Sequence, residues 1–381
     1  MNIRKILATL LAGAMIFSIA GCNSNTNTGD TAPATDEPAT DAGNEADTTS
    51  GEKPYIAIVS KGFQHQFWQV VKKGADQAAL DLNVDITFDG PPSESDIAIQ
   101  VDMLKSAMDK QPAAIALAAL DTESVKEQLE ACLNNNIPVV GFDSGVPGAP
   151  EGSIYATAST DNAAAAAIAA QMLYENTDFK AKLDAATADA PIAVGVLSQD
   201  ATSESVVSRT TGFIDKLVEL VGDENVKVSG HDKYAKDAAS AKLLIVVNVP
   251  ATTSATDLKT SAESLLATSG LAAIYGSNEA AATGMLTASN DGSEFNSENG
   301  KFGEIIAIGF DAGKTQRVAV ENGWFYGSVT QDPYQIGYQA VKLAVDAING
   351  VPAASEIVDT GAQWYNAENL TDPSILELVY D

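Results

Sequence analysis

From residue 55 onward, short apolar runs alternate with longer segments whose apolar residues recur at helical spacing. Apolar runs of this length predict buried strands, and the recurring positions predict helices. The first set of predicted strands covers 55–59, 84–88, 113–117 and 138–142, with helices at 66–82, 94–109 and 124–135. Strands that are apolar throughout and alternate with helices are typical of parallel sheets covered on both faces.

The same alternation starts again after residue 153. Strands are predicted at 154–157, 192–197, 226–229, 243–249, 271–275, 305–309 and 325–329, and helices at 163–174, 203–220, 279–288 and 335–349. The stretch 234–260 is ambiguous, because Pro250 and the Thr/Ser run after it interrupt the helical period. Two successive sets of elements predict an α/β fold of two Rossmann-like lobes, each a parallel sheet flanked by helices.

The first 53 residues differ in composition from the rest of the chain. A charged start precedes an apolar run over 6–19, which ends in the motif Ile-Ala-Gly-Cys at Cys22. The run is shorter than the roughly 20 residues that a spanning helix needs. It resembles a bacterial lipoprotein signal, which implies a signal peptide over 1–21 and acylation of Cys22, with a plain secretory peptide as the alternative. Residues 22–53 are polar, acidic and free of aromatics, which predicts a disordered tether.

Composition excludes several classes of function. The 381 residues include 22 Lys and Arg against 51 Asp and Glu, a net charge of −29, which disfavours nucleic-acid binding. Two His and two Cys are too few for a Cys/His zinc framework. If Cys22 is acylated, Cys132 has no partner for a disulfide. We therefore expect no metal, no cofactor and no bound nucleic acid.

Candidate chemistry is concentrated directly after the predicted strands, and in open sheets of this class ligands lie beyond the carboxyl ends of strands. Aromatic, carboxylate and amide side chains recur there: Phe67, Trp68, Asp143, Asn278, Asp311 and Gln331. Rings can stack on the C–H face of a sugar, and carboxylates and amides can bond its hydroxyl groups. The pattern predicts a small polyhydroxylated ligand.

Over residues 54 to about 360, the chain resembles the type I periplasmic solute-binding proteins, in particular the ribose-binding branch, which are receptor subunits of ABC sugar importers. The resemblance rests on the order and spacing of six pieces: Phe67-Trp68, Pro138-Val-Val-Gly-Phe-Asp143, Ser159-Thr-Asp-Asn162, Ser277-Asn278-Glu279, Ile308-Gly-Phe-Asp311 and Ser328-Val-Thr-Gln331. Such proteins close two lobes around one ligand by a hinge.

The resemblance also implies how the lobes are divided. Three crossings, which form a three-strand hinge, would fall near Ala158, Thr330 and Ser355. The first lobe would then contain 54–158 plus 331–355, and the second lobe 159–330 plus 356–381.

Roles for individual residues follow from the same resemblance. Phe67 and Trp68 would stack on the sugar, and Asp143 and Asp311 would accept its hydroxyl groups. The side-chain amides of Asn278 and Gln331 would donate hydrogen bonds to the sugar and accept hydrogen bonds from it. His65 stands where that branch often has an amide, and Tyr234 would supply an aromatic ring from the second lobe.

Two departures from the family pattern concern arginines. Ser144 stands where the family has an arginine after the first-lobe aspartate. On the helix after Leu197, the expected arginine falls near Val207, and Arg209 lies two positions further on. These changes alter which hydroxyl groups can be bridged, so ribose itself does not transfer to this chain as the ligand.

The expected function is an extracytoplasmic, membrane-anchored and monomeric receptor that captures a pentose or hexose and delivers it to an ABC permease. An alternative is a sensory receptor for a sugar or a furanosyl signal related to autoinducer-2. A glycosidase using Asp143 and Asp311 is a third reading, but the sequence shows neither the carboxylate separation nor an activating neighbour. We therefore predict a binding protein and not an enzyme.

Overall fold

The computed structural model describes residues 53–63 and 65–380. The predicted signal peptide, Cys22 and almost all of the predicted tether lie outside these residues. The chain from Glu52 to Asp381 forms one compact unit. Because this unit has hydrophobic cores of its own, we expect it to fold independently.

The first lobe is built on a six-stranded parallel sheet. Its strands are β1 (Tyr55–Val59), β2 (Asp85–Asp89), β3 (Ala114–Leu117), β4 (Val139–Phe142), β5 (Thr157–Ser159) and β12 (Ile357–Asp359), in the spatial order β12-β5-β4-β3-β1-β2. The helices are α1 (Gln66–Leu82), α2 (Ile97–Asp109), α3 (Lys126–Asn134) and α10 (Pro333–Ile348). Alternate residues of β1 pack against α1 and α10 on one face and α2 and α3 on the other, which explains its apolar run.

The second lobe is built on a seven-stranded sheet. Its strands are β6 (Ile192–Leu197), β7 (Val226–Ser229), β8 (Leu243–Asn248), β9 (Leu271–Gly276), β10 (Ile306–Phe310), β11 (Gly327–Gln331) and β13 (Ala362–Tyr365), in the order β13-β11-β10-β9-β6-β8-β7. All neighbours are parallel except β13, which is antiparallel to β11. The helices are α4 (Asn162–Glu175), α5 (Thr177–Ala185), α6 (Glu204–Val221), α7 (Ala255–Leu266), α8 (Glu279–Ala288), α9 (Lys314–Glu321) and α11 (Pro373–Leu376).

The two-lobed α/β architecture predicted from the sequence is confirmed, with one difference in where the chain crosses between lobes. Crossings follow β5 and β11, and a third lies between β12 and β13. Because β12 pairs with β5, with Ile357 opposite Thr157, residues 357–359 lie in the first lobe. The third crossing is therefore at 360–361 and not near Ser355, where the family pattern had placed it.

Several predicted elements differ from the observed ones. The strand expected at 154–157 lies at β5, and the one expected at 325–329 lies at β11. The ambiguous stretch 234–260 contains β8 and the start of α7, whose N-cap is Ser254. The Ser254 hydroxyl accepts a hydrogen bond from the backbone of Asp257, so part of the polar run that obscured the helical period is the helix cap. Helices α5, α9 and α11 and strands β12 and β13 were not predicted at all.

Helix α10 carries the chain back onto the first lobe and packs closely on α1. A Cβ atom on Gly337 would lie 1.8 Å from the carbonyl oxygen of Val71, and one on Gly74 would lie 2.0 Å from the carbonyl oxygen of Tyr334. Only a hydrogen atom fits at these two positions. The two glycines therefore allow backbone contact between the helices.

Candidate functional site

A cavity of about 30 Å³ lies between the lobes, at the carboxyl ends of the strands of both sheets. It is lined by Lys61, His65, Phe67, Trp68, Glu94 and Asp143 from the first lobe and by Val206, Arg209, Asn278, Glu279, Ala280, Asp311 and Gln331 from the second. The space holds only a few water-sized molecules, so the lobes have to separate for a larger ligand to enter.

The two lobes present equivalent aspartates to this cavity. Asp143 follows β4 and Asp311 follows β10, each directly after a Gly-Phe pair. Both have left-handed backbone conformations, with φ of 55° and 75°. Aspartate tolerates this conformation better than most residues, although it still carries strain, and such strain concentrates at binding sites. The turn brings each carboxylate from the strand end into the wall of the cavity.

The surrounding side chains hold Asp311 in place. Its backbone carbonyl accepts hydrogen bonds of 2.9 Å from Gln316 Nε2, Ser328 Oγ and Tyr365 Oη. Its carboxylate accepts from Gln331 Nε2 at 2.6 Å and from the backbone N–H of Glu279 at 2.9 Å. With both its backbone and its side chain bonded, Asp311 is a preorganised acceptor.

Two aromatic rings form the first-lobe wall. Phe67 and Trp68 lie in the first turn of α1 and contact each other edge to face, with centroids 5.0 Å apart. Trp68 is 1% exposed, and its indole N–H donates to Glu94 Oε1 at 2.8 Å. Because that bond satisfies the polar edge of the indole, the orientation of the ring is set by the protein.

Lys61 is the cation of the first-lobe half. It is 5% exposed, and its ammonium lies 2.9 Å from Asp143 Oδ2 and 3.0 Å from Ser205 Oγ of the other lobe. Burial alone would lower the pKa of Lys61, but the carboxylates of Asp143, Glu94 and Asp200 outweigh it and raise this pKa above its usual value. The buried ammonium therefore stays charged.

Arg209 is the cation of the second-lobe half. Its Nε donates to Asn162 Oδ1 at 2.7 Å, and its Nη1 lies 3.7 Å from Asp311 Oδ2. The guanidinium stacks on the Phe310 ring at 4.0 Å from the centroid. Stacking and ion pairing together fix the plane of the group beside the cavity.

A chain of hydrogen bonds crosses from one lobe to the other along the cavity. Glu94 Oε2 accepts from Gln199 Nε2 at 2.9 Å, and Gln199 Oε1 accepts from Asn278 Nδ2. Asn278 Oδ1 in turn caps α8 by accepting from the backbone N–H of Ala281. Burial alone would raise the pKa of Glu94, but mainly the charge of Lys61 lowers it, so this acceptor is ionised. These hydrogen bonds connect Trp68, through Glu94, to the first turn of α8.

Glu279 adds a further carboxylate at the start of α8. Burial and the nearby charge of Asp311 raise the pKa of Glu279 to about 7, against the opposing effect of His65. Its Oε2 accepts from Tyr380 Oη at 3.2 Å. A small change of pH near neutrality therefore changes the charge of the cavity wall.

The structure brings together eight of the ten residues singled out from the sequence: His65, Phe67, Trp68, Asp143, Arg209, Asn278, Asp311 and Gln331. Ser144 and Tyr234 do not line the cavity. The Ser144 hydroxyl instead accepts a hydrogen bond from the backbone N–H of Ser205 at 3.3 Å. Tyr234 is packed in the second-lobe core, in a short 3₁₀ turn that follows β7.

Three charged lining residues were not assigned a role from the sequence: Lys61, Glu94 and Glu279. Lys61 lies two positions after β1, and Glu279 directly follows the predicted Asn278, so the position after a strand was the available signal. Glu94 lies in the loop before α2, five residues after β2, and no periodic pattern marks it.

Within residues 53–63 and 65–380, no group of three or more His, Cys, Asp or Glu side chains is arranged to hold a metal ion. In the same part of the chain, no helix has both the length and the hydropathy to cross a membrane.

A sequence model of the periplasmic binding protein domain family matches residues 56–352 of this chain. The chain belongs to this family. The membership inferred from the six sequence pieces is thereby confirmed, and the family is one of extracytoplasmic binding proteins.

Known relatives are similar to this chain over most of its length. A solved structure named as an ABC transporter, LacI family transcriptional regulator from Brachyspira murdochii is 40% identical, with a TM-score of 0.72 over 86% of this chain and 99% of its own. An ABC transporter solute-binding protein from Agrobacterium vitis, with bound D-fucose, is 27% identical, with a TM-score of 0.71 over 86% and 100%. The D-allose-binding periplasmic protein of Escherichia coli K12 is 26% identical over 76% of this chain and 83% of its own.

Proposed function

We propose that this chain is the receptor of an ABC importer and that it captures a monosaccharide, a pentose or a hexose, between its lobes. The observation that carries the proposal is the matched pair Asp143 and Asp311, which enter one cavity from opposite lobes beside the rings of Phe67 and Trp68. Relatives that bind D-fucose and D-allose support a sugar of this size.

Each wall residue has a role in this proposal. Phe67 and Trp68 stack on the C–H face of the sugar, and the two aspartates accept from its hydroxyl groups. Lys61 and Arg209 donate to oxygens that the aspartates leave free, and Asn278 and Gln331 fix the remaining hydroxyls. In this role Asp143 and Asp311 act as acceptors for the sugar, and each lies beside a cation, Lys61 and Arg209 respectively.

Capture follows from the division of these groups between the lobes. An open molecule offers the sugar only half of the wall, and the closed molecule offers both halves. The sugar therefore favours closure by its higher affinity for the closed state. The closed surface of both lobes is what the permease would recognise.

A membrane anchor completes the proposed receptor. Acylation of Cys22 after removal of residues 1–21 would tether the folded unit, as a monomer, through the acidic segment 22–53. Labelling growing cells with a radioactive or alkyne-bearing palmitate tests this. We expect labelled protein from the native chain and none from Cys22→Ser, and equal labelling of both would overturn the anchor.

The proposed ligand class is tested by a thermal-shift screen of the 52–381 unit against pentoses, hexoses, short oligosaccharides and furanosyl signals, followed by calorimetry. A sugar at 100 times its Kd stabilises the protein by about 2.7 kcal/mol, which is a readily measured shift in Tm. We expect Asp143→Asn and Asp311→Asn each to weaken binding by about tenfold to a hundredfold. Asp346→Asn, which removes a partly exposed carboxylate outside the cleft that is paired with Lys342, is the matched control.

Binding of furanosyl signals with no response to any monosaccharide would support the sensory alternative instead. If no compound of the panel binds, and the Asp143 and Asp311 variants behave like the control in the same assays, the sugar proposal is overturned.

A further inference from the structure

The last residues of the chain are anchored on the second lobe. Ile375 is buried in the core of that lobe, and the carbonyl oxygen of Leu378 accepts from Thr330 Oγ1 at 3.3 Å. The carbonyl oxygen of Tyr380 accepts from Arg317 Nη2, on α9, at 3.0 Å. The backbone of this segment, 373–380, therefore moves with the second lobe.

The side chain of Tyr380 nevertheless reaches the first lobe. It is 7% exposed and packs with the first-lobe core cluster, with its ring edge-on to Phe67 at 6.3 Å between centroids. Its hydroxyl lies 3.2 Å from Glu279 Oε2 of the second lobe. Phe67 and Glu279 both line the cavity, whereas Tyr380 stands behind them.

We propose that Tyr380 is a positioning residue of the cleft, which bridges the closed lobes by packing its ring on Phe67 and fixing the carboxylate of Glu279 through its hydroxyl group. The inference rests on the proposed function, since it assigns Tyr380 to the same ligand site. Tyr380 thus supports both a stacking ring and a carboxylate.

The geometry around Glu279 shows why its carboxylate needs such a partner. A Cβ atom on Gly313 would lie 2.1 Å from Glu279 Oε1, so one oxygen already packs directly on the backbone before α9. The other oxygen is the one that Tyr380 reaches. Burial and the carboxylates of Asp311 and Glu279 raise the pKa of Tyr380 well above its usual value, so its hydroxyl remains a donor.

Loss of the Tyr380 hydroxyl is expected to change the pKa of Glu279. The groups that act on Glu279 are Asp311, His65, Glu94 and the Tyr380 hydroxyl, and Lys61, Asp143 and Arg209 share the cavity wall. The hydroxyl stabilises the ionised form of Glu279. Removing it therefore raises the pKa of Glu279, which a purely structural role of the ring would not do.

The test compares Tyr380→Phe and Tyr380→Ala with the wild-type 52–381 unit. Tyr338→Phe is the matched control, since Tyr338 Oη also donates to a carboxylate, that of Asp81, at 3.2 Å but on the surface. Carbon-13 labelling of glutamate gives the titration of Glu279 by NMR, with its signal assigned from Glu279→Gln. Calorimetry with D-allose and D-fucose gives affinity as a function of pH.

In Tyr380→Phe we expect the Glu279 titration to move to higher pH and the affinity of whichever probe sugar binds to fall by about threefold to tenfold. Tyr380→Ala, which also loses the contact with Phe67, is expected to lose more affinity. The control Tyr338→Phe is expected to change neither the Glu279 titration nor the affinity. An unmoved Glu279 titration in Tyr380→Phe, or wild-type affinity in both Tyr380 variants, would overturn the proposal. A moved titration with no binding of either sugar by the wild-type protein would leave the positioning of Glu279 standing and count against the proposed sugars.

Discussion

Replacing Lys61 by Met tests how far one cation holds the two halves of the cleft together. Met keeps the length of the aliphatic side chain and removes its charge. The ammonium is buried, forms an ion pair with Asp143 at 2.9 Å and donates to Ser205 across the cleft. The variant leaves the carboxylates of Asp143, Glu94 and Asp200 without their shared counter-charge.

The magnitude follows from the cost of an unpaired buried charge. Removing one partner of a buried ion pair costs about 3–5 kcal/mol, so we expect the free energy of unfolding to fall by about 3 kcal/mol or more near neutral pH. The matched control is Lys342→Met, which removes the cation of an exposed pair with Asp346. Such surface pairs contribute about 0–1 kcal/mol, so the control should change stability little.

The loss should also depend on pH in one direction. Because the pKa of Lys61 is raised in the folded protein, the stabilisation that Lys61 provides is fully present below pH 10.5. It is lost only as pH rises through the folded-state pKa. Glu94, whose pKa is lowered, contributes stability above 4.5 that is lost as pH falls through its folded value. In the variant, buried carboxylates without the cation accept protons more readily as pH falls, so the difference from wild type should shrink.

Urea unfolding of both proteins at about pH 8 and about pH 5 gives these differences directly, because stability is linked to the protons bound in each state. A loss below about 1 kcal/mol at the higher pH would refute the reasoning, because the buried pair would then be worth no more than a surface pair. An equal loss at both pH values would refute it as well, because packing and not charge would then be responsible.

The remaining predictions concern the cleft wall, a helix contact and a thiol. The pKa of Glu279 is raised from 4.5 to about 7. The stability that Glu279 contributes is therefore present below pH 4.5 and is lost as pH rises through about 7. Glu279→Gln should therefore be more stable than wild type in urea at about pH 8, by at most about 3 kcal/mol, with no gain near pH 4. Gly337→Ala should lower Tm, because its Cβ would lie 1.8 Å from the carbonyl oxygen of Val71, whereas Gly145→Ala, with no atom nearer than 3.5 Å, should not. Cys132 is buried and its thiol pKa is raised by burial to about 11, so a thiol reagent at about pH 8 should modify the 52–381 unit only after unfolding; rapid labelling of the native protein would contradict this.

Most strands and most of the longer helices were predictable because their signals are local, and the family was predictable from the order and spacing of six short pieces along the chain. A strand buried on both faces is apolar at every position, as β1 and β4 are, and this pattern needs no knowledge of the partner strands. The polar residues directly after those strands were also visible, since chain order alone places them at the strand ends. That is why Asp143 and Asp311 could be named before the lobes were assembled.

What the tertiary structure alone decided depends on residues far apart in the sequence. Tyr234 and Phe67 are both aromatic residues near strand ends or loops, yet only packing places Tyr234 in the core and Phe67 on the cavity. The pairing of β12 with β5 moved the last crossing, because an edge strand of three residues carries too little pattern to be recognised. The contact between Tyr380 and Phe67 depends on the tertiary structure, because the fold and not any local preference brings residues 373–380 back to helix α1.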